Sequence, residues 1–166
     1  MPVSDQGTLT GHYCLIPRTL IFLTSGDQVL LLKGAAKKRL WAGKYNGIGG
    51  HMERGEDPIS SARRELHEES GLWVEDLFLC GLITIDAGES AGILIFVLRG
   101  EAPSRQVYPS EEGTPEWHNI EEALSLPLVE DLPVILPVVL KKYRGETPFL
   151  ANYQYSREGN LSIVLL

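Results

Sequence analysis

Residues 50–72 read GHMERGEDPISSARRELHEESGL, and the reading of this stretch decides the fold. Asp57-Pro58 marks a helix start, because an aspartate at the N-cap accepts from free backbone N–H groups and a proline at the first helical position forfeits no hydrogen bond. Gly71 marks the stop, since glycine tolerates the left-handed conformation that closes a helix. Within a helix of about three and a half turns at ~100° per residue, Ile59, Ala62 and Leu66 share an apolar stripe. Glu65, Glu68 and Glu69 fall together on the adjoining face, because spacings of three and four bring side chains into register. Three carboxylates so close repel one another, and Arg64, four residues before Glu68, offsets only part of that. A solvated acidic face is the ordinary fate of such a segment. Hard divalent cations, which prefer carboxylate oxygens, are the alternative.

Outward from the helix, Gly47, Gly49 and Gly50 precede it in the run YNGIGG at 45–50. They permit close backbone approach, so that the backbone at Gly50 is itself a candidate metal or phosphate contact. Further back, KGAAKKRLWAGK at 33–44 gathers Lys33, Lys37, Lys38, Arg39 and Lys44 in an otherwise acidic chain. Any one of these lysines reads as solvated; as a group they stand where an anionic substrate would approach, and Lys33 is a candidate phosphate contact. Trp41 and Tyr45 are core aromatics or walls for a nucleobase.

The chain has 166 residues, enough for one domain with a real core, and a net charge of −7. Its 43% hydrophobic and 22% charged residues are ordinary for a soluble globular protein. An acidic surface argues against nonspecific binding to nucleic acid polymers, which depends on clustered Lys and Arg. Cys14 and Cys80 form neither a metal motif nor a disulfide framework. The first residues carry no basic region followed by an apolar run, and the longest apolar runs, 92–98 and 134–140, are too short for a bilayer. The expectation is a cytoplasmic protein, monomer or homodimer, that uses no membrane.

Residues 1–17 read as a loose arm and 18–166 as one domain. Strands are expected at 19–24 and 29–33, joined by the turn Ser25–Gln28, and at 77–85, 92–98 and 117–120. A short helix is expected at 121–125 and a longer one over 132–142, started by Pro133 and bent by Pro137. A closing hairpin covers 149–156 and 161–166. Strands mixed with at least two helices make an α/β domain with a mixed sheet.

The spacing Gly50, five residues, Glu56, seven residues, Arg64-Glu65-Leu66-x-Glu68-Glu69-x-Gly71-Leu72 resembles the Nudix box at every specified position. The resemblance implies a Nudix fold, a mixed β-sheet sandwiched between helices, and Mg²⁺-dependent hydrolysis of a phosphoanhydride, with Mn²⁺ as a substitute. Glu65, Glu68 and Glu69 are then the expected metal and catalytic carboxylates, with ligand and base not separable. Arg64 is an orienting partner for a nearby glutamate, and Glu56 a brace for the loop. Nudix enzymes often recruit one more acid from a downstream loop, where Glu111 and Glu112 stand. His12, His51, His67 and His118 show no ligand spacing and read as structural, and Ser60, Ser61 and Ser70 have no nucleophile-elbow setting.

The flanks narrow the resemblance. No proline lies between Pro58 and Pro103 and no tyrosine between Tyr45 and Tyr108, which weighs against the ADP-ribose and dinucleoside polyphosphate groups. From Thr19 to the C-terminus the chain resembles the MutT-like branch, especially the animal oxidised-purine nucleoside triphosphatases. That resemblance makes Glu112 a metal-site residue through its spacing to Trp117. It also puts Thr19, Asn46 and Asp131 at the base, with Asp131 matching one member of an acidic pair and Leu132 standing at the other. Val129 or Leu128 replaces the family's tryptophan beside that pair, and the basic loop is two residues longer. A nucleoside triphosphate such as 8-oxo-dGTP is the substrate so implied. The alternatives are another nucleoside diphosphate derivative (a sugar nucleotide, ADP-ribose or a modified pyrimidine nucleotide) and a nucleotide-binding module without turnover.

Overall fold

The computed structural model describes residues 12–37, 41–86, 88, 91–156 and 158–166. Eight strands and two helices follow in the order β1 (Cys14–Ser25), β2 (Gln28–Gly34), β3 (Tyr45–Asn46), α1 (Pro58–Ser70), β4 (Phe78–Asp86), β5 (Ala91–Glu101), β6 (Gly113–Asn119), α2 (Leu132–Leu140), β7 (Phe149–Tyr155) and β8 (Leu161–Leu165). They form one mixed sheet in the order β3-β2-β1-β5-β4-β7-β8, with β6 on the other side of β2. The pairs β1–β5 and β4–β7 are parallel; the remaining pairs are antiparallel.

Apolar residues run unbroken through Leu20–Leu23 and Val29–Leu32, and all eight are buried. Successive side chains alternate between faces, so each run feeds two cores. Leu20, Phe22, Val29 and Leu31 pack with Leu132, Ile135, Leu136 and Val139 of α2. Ile21, Leu23, Leu30 and Leu32 pack with Ala62 and Leu66 of α1. The sheet is therefore sandwiched between the two helices, as expected.

Several boundaries differ from the sequence reading. Of the arm expected over 1–17, residues 1–11 lie outside the described residues, and Cys14–Pro17 belong to β1, paired with Ala91–Leu94 of β5. These residues are exposed although Leu15 and Ile16 are apolar, so their strand geometry comes from pairing with β5 rather than from burial. β6 starts at Gly113 rather than Trp117, and it tolerates Pro115 because it lies at a border of the sheet. The helix expected at 121–125 is a single 3-10 turn at Ala123–Ser125. The later helix stops at Leu140 and carries Pro137 inside it. Lys38 and Arg39 of the basic loop lie outside the described residues.

One break in the sheet positions the site. β1 and β2 pair only at the hairpin, through Thr24–Val29 and Ser25–Gln28. Beyond it the edge of β1 is taken by residues 48–52: Ile21 N–H donates to Ile48 O (2.7 Å), Thr19 N–H to Gly50 O (2.9 Å) and Met52 N–H to Pro17 O (3.1 Å). Gly49 sits at φ 152°, and a Cβ there would collide with the Thr19 carbonyl. Only glycine allows the loop to lie this flat on the strand.

Candidate active site

Helix α1 begins and ends as its sequence dictates. Asp57 Oδ1 accepts from the amides of Ile59 (2.8 Å) and Ser60 (3.0 Å) ahead of Pro58. Gly71 closes the helix at φ 76°, its N–H on His67 O (2.8 Å). With Ala62 and Leu66 fully buried, the face carrying Glu65, Glu68 and Glu69 is turned toward the loop docked on β1. Gly50 meets that face so closely that a Cβ there would stand 2.7 Å from the Glu65 carboxylate oxygens. Glu69, only 5% exposed, accepts from the Gly49 amide at 3.2 Å.

Arg64 organises the carboxylates. Its Nε and Nη2 donate to the two oxygens of Glu56 (2.7 and 3.0 Å), a bidentate pair that fixes the guanidinium plane. Nη1 reaches Glu65 (2.8 Å) and Glu68 (3.2 Å), and Nη2 also reaches the His51 carbonyl (3.0 Å). Glu56 in turn accepts from the Glu53 amide at 2.8 Å. The Arg64 hydrogen bonds, followed by that amide, hold the Glu56 carboxyl down at about 2 from its ordinary 4.5. The same partner pushes the Arg64 guanidinium further up.

The opposite wall is the loop after β5. Tyr108 N–H donates to Ser70 O (3.0 Å), and the Tyr108 ring lies where a Gly71 Cβ would be, 2.8 Å away. Past this anchor Ser110 N–H bonds Gly113 O (2.9 Å), and Ala35 N–H bonds Glu112 O (3.1 Å). A cleft of about 540 Å³ results, lined by Gly49 to His51, Glu53, Arg64, Glu65, Glu68, Glu69 and Ser110 to Glu112.

The structure thus gathers Gly50, Arg64, Glu65, Glu68, Glu69 and Glu112 in one place. Glu111, the other candidate for the downstream acid, lines the cleft as well; Glu53 and Ser110 are additions, and His51 is in the wall, where adjacency to the glycine pair was its only sequence signal. No three described acidic, His or Cys side chains already stand at mutual ligand spacing. The cleft is nonetheless rich in hard oxygen donors, with six carboxylates in its lining, which suits Mg²⁺ or Mn²⁺.

Thr19, Lys33, Trp41, Asn46 and Asp131 do not line this cleft. Thr19 is buried on β1 and its hydroxyl has no partner among the described residues. Lys33 Nζ sits 5.5 Å from the centre of the Tyr45 ring. Asn46 turns its oxygen back onto the Gly47 amide at 2.8 Å. Trp41 is 51% exposed, with φ 60° in the turn that returns to Gly34. Tyr45 is bonded through its backbone to Pro127 and Val129, which ties β3 to the segment before α2. Its hydroxyl donates to Glu116 (2.7 Å), and burial, then that bond, pushes the phenol up to about 12. Asp131 stands at the start of α2 and accepts from the Tyr153 hydroxyl at 3.0 Å; burial, then Glu130, raises its carboxyl.

Residues 15–139 match the model of the NUDIX domain. The chain belongs to the Nudix family. Its Nudix relatives include the oxidized purine nucleoside triphosphate hydrolases of Danio rerio, 34% identical over 76% of this chain and 80% of the relative, and of Mus musculus, 31% identical over 79% and 85%. Among solved structures, a MutT protein from Bacillus halodurans superposes with a TM-score of 0.76 at 26% identity, covering 91% of this chain and 97% of that one. The protein is a Nudix hydrolase, and Nudix enzymes act on small nucleotide substrates. No helix among the described residues is long and apolar enough to cross a membrane.

Proposed function

We propose that this Nudix hydrolase cleaves a nucleoside triphosphate to the monophosphate and pyrophosphate, with an oxidised purine such as 8-oxo-dGTP as the favoured substrate. The observation that carries the reading is the cleft that Glu65, Glu68, Glu69, Glu111 and Glu112 line beside Arg64. Glu65, Glu68, Glu69, Glu112 and the Gly50 backbone would hold Mg²⁺, or Mn²⁺ in its place. When bound, the metal neutralises phosphate oxygens and lowers the pKa of water. The chain itself supplies orientation and a proton acceptor. Arg64, locked on Glu56, holds Glu65 and Glu68 in place. A carboxylate of α1 takes the proton of the attacking water as a new P–O bond forms and the bridging P–O bond breaks toward the leaving phosphate. Lys33 carries positive charge to the approach, and Thr19, Asn46 and Asp131, with Trp41 as a wall, are the base contacts that the resemblance to the oxidised-purine triphosphatases implies.

Release of pyrophosphate from a panel of oxidised and normal purine triphosphates, with ADP-ribose as comparison, tests the reading. Glu68→Gln and Glu69→Gln should each lower turnover by about two orders of magnitude or more, and chelation should abolish it. Wild-type rates in both variants would sink the metal-site assignment.

A second reading keeps the chemistry and changes the substrate to another nucleoside diphosphate derivative. One observation favours it: Leu132, at the second position of the base-reading pair, is fully buried and apolar. Faster release of product from a sugar nucleotide or ADP-ribose than from any purine triphosphate would establish it.

A further inference from the structure

Alternation along β1 sends Leu20 and Phe22 to the α2 side of the sheet, and Arg18 shares that parity. A guanidinium is out of place there. It is always charged and carries only donors, so in a folded chain it is ordinarily spent on acceptors. Arg63 is spent on Val74 O and Glu75, Arg99 on Leu140 O and Lys142 O, and Arg144 on Asp76. Arg54 lies exposed to water; Arg18, half-buried, does not have that outlet. Its Nε is buried, and among the described residues the side chain has neither a hydrogen-bond partner for that nitrogen nor an ion pair. An orphaned buried donor of this kind points to a group absent from the chain itself.

The surroundings say what that group is. Register sets Arg18 beside Ile95, Ile95 beside Ile83, and in the next row Ile93 beside Ile85 and Ile85 beside Tyr153. Ile85, Ile93 and Ile95 are only half-buried, so α2 leaves this end of its face open. Three strand spacings, ~14 Å, separate β1 from β7, where the Tyr153 hydroxyl meets Asp131. The floor is apolar, with a donor at one end and a carboxyl at the other. A flat heterocycle with polar edges meets that description. The carboxylate cleft is next door, because Arg18 is bridged through its backbone to His51 of the cleft wall.

We propose that Arg18 is a specificity residue that donates to a carbonyl edge of an oxopurine base lying on this floor; the inference rests on the nucleotide reading given above. A guanidinium rewards ring carbonyls and unprotonated ring nitrogens, and it meets a donor at the amino edge of adenine. Lysine in its place would keep the charge and lose the fork.

Calorimetric titration of GMP, 8-oxo-GMP and AMP into wild type, Arg18→Met and Arg18→Lys, with melting temperatures measured alongside, tests the proposal. Arg18→Met should bind GMP or 8-oxo-GMP ~10–100-fold more weakly, bind AMP almost unchanged, and melt no lower than wild type, because the orphaned donor is gone. Arg18→Lys should fall between the two. Turnover of a triphosphate should show a raised KM with kcat preserved. Equal loss for all three nucleotides, unchanged affinity for both oxopurines, or a wild type that binds none of them would overturn the proposal. Base-selective, Arg18-dependent binding in a wild type that hydrolyses no triphosphate would overturn the functional reading and leave this inference standing.

Discussion

Two ends of the Arg64 guanidinium face different neighbours. Nε and Nη2 grip Glu56 in a fork, while Nη1 is left for Glu65 and Glu68. The fork removes the guanidinium's freedom, so Nη1 is aimed before any substrate arrives. Its cost falls on pH stability. Glu56, held at about 2 against an ordinary 4.5, contributes stability that is fully present above 4.5 and is lost as pH falls toward 2. Denaturant unfolding between pH 5 and pH 2.5 should show a steeper loss in wild type than in Glu56→Gln; parallel pH profiles would show that the pair contributes nothing to folding. At this scale the box was legible because its chemistry is local. Arg64 and Glu68 are four residues apart, and helical geometry alone brings them together. Glu53, Glu111 and His51 carry no such spacing, and their place in the cleft comes from loops docked on other elements.

Helix α1 was readable end to end because Asp57, Pro58 and Gly71 each answer to a backbone need within one turn. The start of β1 and the full length of β6 were not, since exposed residues, a glycine and a proline are held in strand geometry by partners distant in sequence. The loop after β5 belongs to the same class. It is anchored by Tyr108, whose ring rests against Gly71 although it is more than half exposed. Tyr108→Ala removes that anchor and leaves the backbone bond to Ser70. The expected result is a Mg²⁺ requirement raised by about tenfold, with kcat recovered at saturating metal and the melting temperature shifted by only a few degrees. An unchanged metal titration would mean that Glu111 and Glu112 are placed without the Tyr108 ring.

Across the whole molecule, one sheet serves two cores with unequal duties. Ala62 and Leu66 seat α1 in one; Leu132, Ile135, Leu136 and Val139 seat α2 in the other. Leu66→Ala and Leu136→Ala each empty a fully buried site and should each cost ~2–5 kcal/mol. Their kinetics should separate. Leu66→Ala shifts the helix that carries Arg64, Glu65, Glu68 and Glu69, so kcat falls; Leu136→Ala leaves kcat near wild type and disturbs KM. Equal effects on kcat, measured below both unfolding midpoints, would show that the two sides of the sheet are mechanically coupled. The parallel pairing of β1 with β5 also has a consequence in time. The glycine loop of the cleft is docked on β1, and β1 is completed only by residues 91–101. Non-local pairings of this kind form late, because the chain between must first be ordered. A refolding chain should therefore regain helical signal well before it regains hydrolysis, and one still being synthesised has no carboxylate cleft until β5 has emerged.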